Sequence, residues 1–372
     1  MKREEYSYWL ANLHNIGIKK IDLLLSAFET AEEVFAAPRE ELEARKREGY
    51  FGNLINDNDI TEIVEHRCEE KIQESYTKLI QKGIYFVSKE SKDYPDKLRH
   101  IYDAPFAFYG KGRLPSEGEK ILAIVGAREC TPYGKEMTKY LAASTAKAGI
   151  TIISGLARGV DAYAHEGALL ADGTTYGILG CGIDICYPRE NINLYMEMQR
   201  KGGILSEYAP GVKPFAGNFP MRNRIISALS DGILIIEAKE KSGSLITVDY
   251  GLEQGKNIYA LPGRATDRLS DGCNNLIKMG AKLVTSPKDI LEDYFTNYEQ
   301  NMDEMKKNNK VLEKEGKIVY ASLCLEPKHI EEIAIQTGLS LDTLMEQLFL
   351  LELQGLIRQS RKNYYVIRNG SF

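Results

Sequence analysis

The sequence predicts an α/β fold: a parallel sheet core with a helical segment before it and a helix-turn-helix unit with a wing after it. Three observations carry this. From residue 121 onward, short continuous apolar runs such as Ile121–Val125 and Gly232–Glu237 alternate with helical spacing. Strands buried on both faces read as unbroken apolar runs, and a regular strand–helix alternation means parallel strands with helices on both faces. The polar, charged stretch 296–317 then separates this core from a span beginning at Ile330, where Gly338 sits between two helical patterns.

The elements follow in order. Residues 1–75 read as helical, with Trp9, Leu10, Leu13, Ile16, Ile21, Leu24 and Phe28 at helical spacing. Gly17 interrupts this pattern and fits a helix-hairpin-helix turn. The second glycine of such a hairpin is missing, so a plain bundle with a glycine turn fits as well. Residues 76–295 form the sheet domain. Its first strand lies at Ile84–Val87, and the proline-punctuated Asp103–Gly110 reads as a lead-in extension. A helix spans Pro132–Lys147, with Thr131 as N-cap and proline in the first turn. Further helices fall near 159–170, 191–200, 219–229, 244–254, 273–279 and 287–294, with strands at 150–154, 174–179, 204–207, 257–261 and 281–284. Residues 296–317 form a linker or exposed helix, and 318–372 hold three short helices with two wing strands around Gln359–Asn363.

Bulk properties narrow the function. A formal net charge of −5 excludes nucleic-acid binding through overall charge, so any such site is a local patch. No apolar run approaches about 18 residues, which excludes an apolar membrane-spanning helix. The first residues lack the apolar stretch of a signal peptide. Six cysteines are scattered without a CxxC pair, which points to reduced thiols in a cytoplasmic protein. Asp161 and His165 have metal-ligand spacing, but no third ligand is evident, so packing is the preferred reading. No cofactor is expected: neither a dinucleotide fingerprint nor a GxxxxGK[ST] loop occurs. The serines Ser154, Ser242 and Ser244 lack a base, and their hydroxyls read as caps or phosphate donors.

What recurs instead is a glycine with a basic residue at strand ends: Gly126 with Arg128, Gly155 and Gly159 with Arg158, Gly182 with Arg189, and Gly243 with Lys241. On the carboxyl edge of one sheet, these make a groove of backbone N–H donors and cations that suits a run of phosphates. Arg222 and Arg224, two apart on one helix, point different ways. One can face phosphate, while the other pairs with a buried carboxylate such as Glu237.

The ordered motifs resemble a known family. Val125-Gly126-Ala127-Arg128, Ser154–Asp161, Phe219–Ile226, Glu237–Thr247, Ala260–Gly263 and Asp271–Ile277 are together similar to the DprA/Smf family, the DNA-processing proteins of bacterial transformation. The resemblance covers about residues 80–290 and agrees in type at both ends. It implies an extended Rossmann core without nucleotide, an N-terminal domain of the sterile-alpha-motif or helix-hairpin-helix kind, and a DML1-like winged helix. It further implies a non-enzymatic recombination mediator, a homodimer that binds single-stranded DNA and loads RecA. By position, Arg128 and Arg189 match the family's DNA-contacting cations. Gly155, Asn223, Ser242 and Gly243 would line the same pocket, and Gly126, Arg158, Arg224, Lys241 and Ser244 complete the expected DNA-binding set. The dimer surface would lie on the Asn274–Leu283 hairpin, with Asn274, Ile277 and Leu283. Ala127 replaces a common serine, and Ala216 stands where some members carry lysine, so that flank is expected to bind more weakly. From 311 to 372 there are seven Lys/Arg against eight Asp/Glu, so the winged helix has no general basic stripe. The alternative class is a lysine-decarboxylase-like nucleotide phosphoribohydrolase. Its PGGxGTxxE-type motif is not present after Pro262-Gly263.

Overall fold

The computed structural model describes residues 1–295, 314–324, 327–353, 356–361 and 363–367. They fall into two compact units, Met1–Ile290 and Leu291–Phe372.

Six helices open the first unit: α1 (Arg3–Ala11), α2 (Ile18–Phe28), α3 (Ala31–Ala36), α4 (Arg39–Arg47), α5 (Asp57–Glu65) and α6 (Glu69–Gln81). Helix α6 runs through residue 75, so the sequence boundary placed there falls inside a helix. Trp9, Leu24, Phe28, Leu42 and Ile63 share one buried cluster with Phe86, Phe106 and Tyr109 of the sheet region. The α1–α2 turn is built for packing. Lys20 Nζ donates to the Asn15 carbonyl and lies 2.6 Å from the buried Asp59 carboxylate, which favours the bundle reading.

The central sheet has nine strands in the order β1-β2-β6-β5-β4-β3-β7-β8-β9. These are β1 (Tyr85–Ser88), β2 (Ala107–Gly112), β3 (Ile121–Gly126), β4 (Thr151–Ser154), β5 (Thr175–Leu179), β6 (Gly203–Ser206), β7 (Gly232–Ile236), β8 (Asn257–Ala260) and β9 (Lys282–Leu283). The pairs from β6 across to β9 are parallel, as the apolar runs predict. The stretch read as a lead-in is β2 itself. It pairs antiparallel with both β1 and β6 and makes the sheet mixed. Pro105 ends the irregular approach, and residues 107–110 are then buried as in any inner strand.

The connecting helices are α7 (Asp96–Arg99), α8 (Pro132–Lys147), α9 (Val160–Leu170), α10 (Ile192–Lys201), α11 (Asn218–Leu229), α12 (Leu245–Glu253), α13 (Asp271–Lys278) and α14 (Lys288–Tyr294). Helix α8 starts where Thr131 Oγ1 accepts from Gly134 N at 3.1 Å. From β3 the chain moves to β4 on one side, and β7 joins β3 on the other. This reversal of strand order opens a crevice above the carboxyl ends of β3 and β7, where ligands of open α/β sheets bind.

In the second unit, α15 (Lys314–Ser322), α16 (Ile330–Thr337) and α17 (Leu341–Leu353) pack on a three-stranded antiparallel sheet. Its strands are β10 (Lys328–His329), β11 (Ile357–Arg361) and β12 (Tyr364–Ile367). Val319, Ile333, Leu344, Leu348, Leu351 and Ile357 form the core. Gly338 closes α16 before α17, giving the helix-turn-helix and wing that the sequence predicts. Most of the expected linker, residues 296–313, lies outside the described residues, and 314–317 are already helical.

Candidate functional site

The crevice at the strand-order reversal is a cleft of about 1210 Å³. Its floor depends on close backbone packing. A Cβ at Gly126 would lie 1.8 Å from the Ile236 carbonyl oxygen, so only glycine lets β3 and β7 end side by side. Ala127 N then donates to the Glu237 carbonyl at 2.7 Å, which ties the two strand exits together.

Side chains from five loops and α11 line the cleft. Arg128 follows β3, Arg189 sits in a short 3-10 turn (Arg189–Asn191) after β5, and Lys213 lies between β6 and α11. Arg222 comes from α11, and Lys239 and Lys241 follow β7. Against these six cations the lining has one carboxylate, Asp161. Arg128, Arg189, Lys213, Lys239 and Lys241 are exposed, and none has an ion-pair partner among the described residues. Asn223, Ser242, Gly243 and Ser244 form the polar wall. Asn223 Nδ2 donates to the Gly243 carbonyl at 3.4 Å, and the Ser242 and Ser244 hydroxyls lie 2.8 Å apart. An aromatic pair borders the cations. The Tyr187 and Phe219 rings are 5.6 Å apart, and the Arg128 guanidinium lies 5.8 Å from the Phe219 centroid.

Three expected members of the DNA-binding set stand elsewhere. The Arg224 side chain is 0% exposed; its Nη2 donates to Glu207 Oε1 at 2.8 Å and its Nε lies 2.9 Å from Asp103 Oδ2. It is an internal ion pair and not a rim cation. Arg158 is exposed but grips Glu190 with two nitrogens, at 2.7 and 3.1 Å, and stays off the cleft lining. Gly155 is buried, and its N–H donates to Asp161 Oδ2 at 3.1 Å, so that donor is not free for an anion. Glu237 pairs with neither Arg222 nor Arg224. Its carboxylate accepts from Thr131 N at 2.7 Å and from the Thr131 hydroxyl, which places negative charge at the start of α8.

Arg222 is the buried arginine under the cleft. Its Nη1 donates to the carbonyls of Gly155, at 2.7 Å, and Ile178, and its Nε to Asn223 Oδ1 at 3.2 Å. Burial lowers the pKa of its guanidinium, and Asp161 opposes that. Burial likewise raises the Asp161 carboxyl, against the pull of Arg222. His165 is buried and neutral: burial, helped by the Arg222 charge, lowers its pKa to about 3. Its Nδ1 lies 2.6 Å from Thr175 Oγ1, so it has a packing partner. No group of three or more metal-ligating side chains occurs among the described residues.

Sequence reasoning missed Lys213 and Lys239. Lys239 lies just past a strand end, where the glycine-with-base pattern looked only at Lys241. Lys213 sits in an irregular loop that gives no local signal. Phe219 and Tyr187 carried no expectation because their contact needs the loop after β5 to meet the first turn of α11, far apart in sequence. Of the expected dimer residues, Asn274 turns inward. Its Nδ2 donates to the Gly263 carbonyl at 3.0 Å, and its Oδ1 accepts from Gly263 N at 3.2 Å. Ile277 is half-buried and Leu283 is 45% exposed. The expected hairpin is the end of α13 turning into β9.

The profile of the family described as DNA recombination-mediator protein A matches residues 85–295, and that of the DprA winged helix domain matches 306–361. The chain is 43% identical over 215 residues to the DNA processing protein DprA of Bacillus subtilis, covering 57% of this chain and 72% of that one. Among solved structures, that of DprA from Streptococcus pneumoniae superimposes with a TM-score of 0.63 at 31% identity, covering 78% of this chain and 98% of the other. A Helicobacter pylori structure, described as showing the single-stranded DNA binding mode of DNA processing protein A, gives 0.50 at 33% identity, over 57% and 95%. The cleft lies within the matched segment, and on this evidence the chain belongs to the DNA recombination-mediator protein A family, the DprA/Smf proteins.

Proposed function

We propose that the cleft holds the backbone of single-stranded DNA and that the protein acts as a recombination mediator. The observation that carries this is the set of five exposed cations around a carboxyl-edge crevice, none with an acid partner among the described residues. Such charges would neutralise phosphates locally on a chain whose net charge is −5. Arg128 and Arg189 are the principal contacts, with Lys213, Lys239 and Lys241 beside them. Asn223, Ser242, Gly243, Ser244 and the strand exit at Gly126 supply polar donors. The Tyr187–Phe219 pair offers ring faces on which unpaired bases stack, and this favours a single strand over a duplex.

The cleft is suited to holding and not to bond-breaking. Ser242 and Ser244 face each other with no base between them. The Cys186 thiol is raised by burial and donates to the Pro188 carbonyl, which leaves it a poor nucleophile. We read the protein as a non-enzymatic, cytoplasmic mediator that hands its strand to RecA. Its homodimer would form through the apolar residues Ile277 and Leu283 at the α13–β9 turn. The salt dependence of oligothymidylate binding tests the phosphate reading. With four or five neutralised phosphates, log K should fall against log salt with a slope of about −3 to −3.5. A flat dependence would replace phosphate contacts with stacking alone. Release of ribose phosphate from nucleoside monophosphates would instead support the hydrolase class.

A further inference from the structure

The winged-helix unit exposes an apolar face that its own core does not use. On α17, Leu344, Leu348 and Leu351 turn inward and are buried. Leu341, Met345 and Phe349 recur every fourth residue on another face and are 57%, 49% and 61% exposed. That spacing stacks them one above another along the helix. Ile335 on α16 is a further exposed apolar side chain of this unit, at 83%.

In a DNA-reading helix-turn-helix, the second helix enters the major groove and brings cations to the phosphates. Here that helix does the reverse. Between His329 and Arg358 the sequence contains no lysine or arginine and five carboxylates: Glu331, Glu332, Asp342, Glu346 and Glu352. All five are exposed. Asp342 and Glu346 each follow a stripe residue directly and so run beside Leu341 and Met345. Glu332, Asp342 and Glu346 have no ion-pair partner among the described residues. Duplex DNA would be repelled. A second copy of the same face would set carboxylates against carboxylates. The complementary surface is apolar in the middle and cationic at the edge.

We propose that the Leu341–Met345–Phe349 face of α17 docks a cationic amphipathic helix from a partner protein. Apolar side chains at every third or fourth position of the partner would cover the stripe, and its lysines or arginines would reach Asp342 and Glu346. Methionine and an aromatic ring at the centre with charge at the rim is the anatomy of a protein-binding patch.

The test uses the full chain and a fluorescent helical peptide of leucine and lysine in amphipathic register, with its leucine–glutamate counterpart as control. The wild type binds the lysine peptide and not the glutamate peptide. Met345→Ser with Phe349→Ser weakens binding by about tenfold or more, and Asp342→Asn with Glu346→Gln weakens it by about threefold. Single-stranded DNA affinity and the unfolding midpoint stay unchanged in both variants. Equal peptide binding by the wild type and both variants overturns the proposal. So does self-association in sedimentation velocity that the serine variant abolishes, or duplex DNA binding that it abolishes.

Discussion

Arg222 donates from Nη1 to the Gly155 carbonyl at 2.7 Å, and a Cβ on residue 155 would lie 2.3 Å from its Nη2. The glycine is the space that the arginine fills. Together they join the ends of β4 and β5, through the Gly155 and Ile178 carbonyls, to α11 under the cleft.

Gly155→Ala should therefore displace a buried guanidinium. The expected cost is about 1–3 kcal/mol of stability, read from urea unfolding. DNA affinity should fall with it, because Asn223 sits next to Arg222 on the cleft wall and receives its Nε–H. A Gly155→Ala protein as stable as the wild type would mean that Arg222 is not held this way.

Arg224 of α11 and Arg128 after β3 should separate cleanly by stability. Arg224→Ala leaves the largely buried Glu207, 15% exposed, without its partner, at a cost of about 3 kcal/mol. Arg128→Ala, at an exposed position, should stay within about 0.5 kcal/mol of the wild type. Comparable losses from both would contradict the assignment of Arg224 to the interior and Arg128 to the rim.

His165 predicts a pH effect. Its ordinary value of 6.5 is lowered to about 3 in the fold, chiefly by burial and then by Arg222. The folded state keeps the ring neutral while the unfolded chain takes up a proton below pH 6.5. The stability that this provides is complete above pH 6.5 and is lost as pH falls from 6.5 toward 3, by up to about 1.4 kcal/mol per unit. His165→Asn should flatten that part of the stability–pH curve relative to the wild type. An unchanged slope would show that the histidine is not held neutral.

Glu237 gives a fourth test. It holds a left-handed backbone, φ 51°, and caps α8 through Thr131. Glu237→Ala should cost about 1–2 kcal/mol through the lost cap and charge. The fully active binding of DNA by a folded Glu237→Ala protein would be consistent, since the carboxylate faces the helix and not the cations. An increase in stability would contradict the capping role.

Much of this was legible in the sequence because it is local. Strands β3 and β7 are unbroken apolar runs, and Thr131-Pro132 marks the start of α8 to the residue. The groove was legible as a class, since glycines and bases recur at strand ends. What was not legible depended on distant partners. Whether Arg158 is a free cation depends on Glu190, thirty-two residues away. Which of Arg222 and Arg224 faces the cleft depends on Asp103, Glu207, Gly155 and Ile178, which only the folded sheet brings to α11. β2 is hard to tell from an approach segment in the sequence because Asp103 and Pro105 mask the short run that follows them. Lys213 entered the site through a loop without periodicity.

Under the proposed function, the exposed cations of the cleft, unpaired among the described residues, hold a single strand. The most direct test is fluorescence anisotropy of an oligothymidylate with the Arg128→Ala/Arg189→Ala protein at fixed salt. The expected result is a fold as stable as the wild type and an affinity lower by about tenfold or more, since each charged contact is worth about 1 kcal/mol or more. A folded double variant that binds as tightly as the wild type would contradict it.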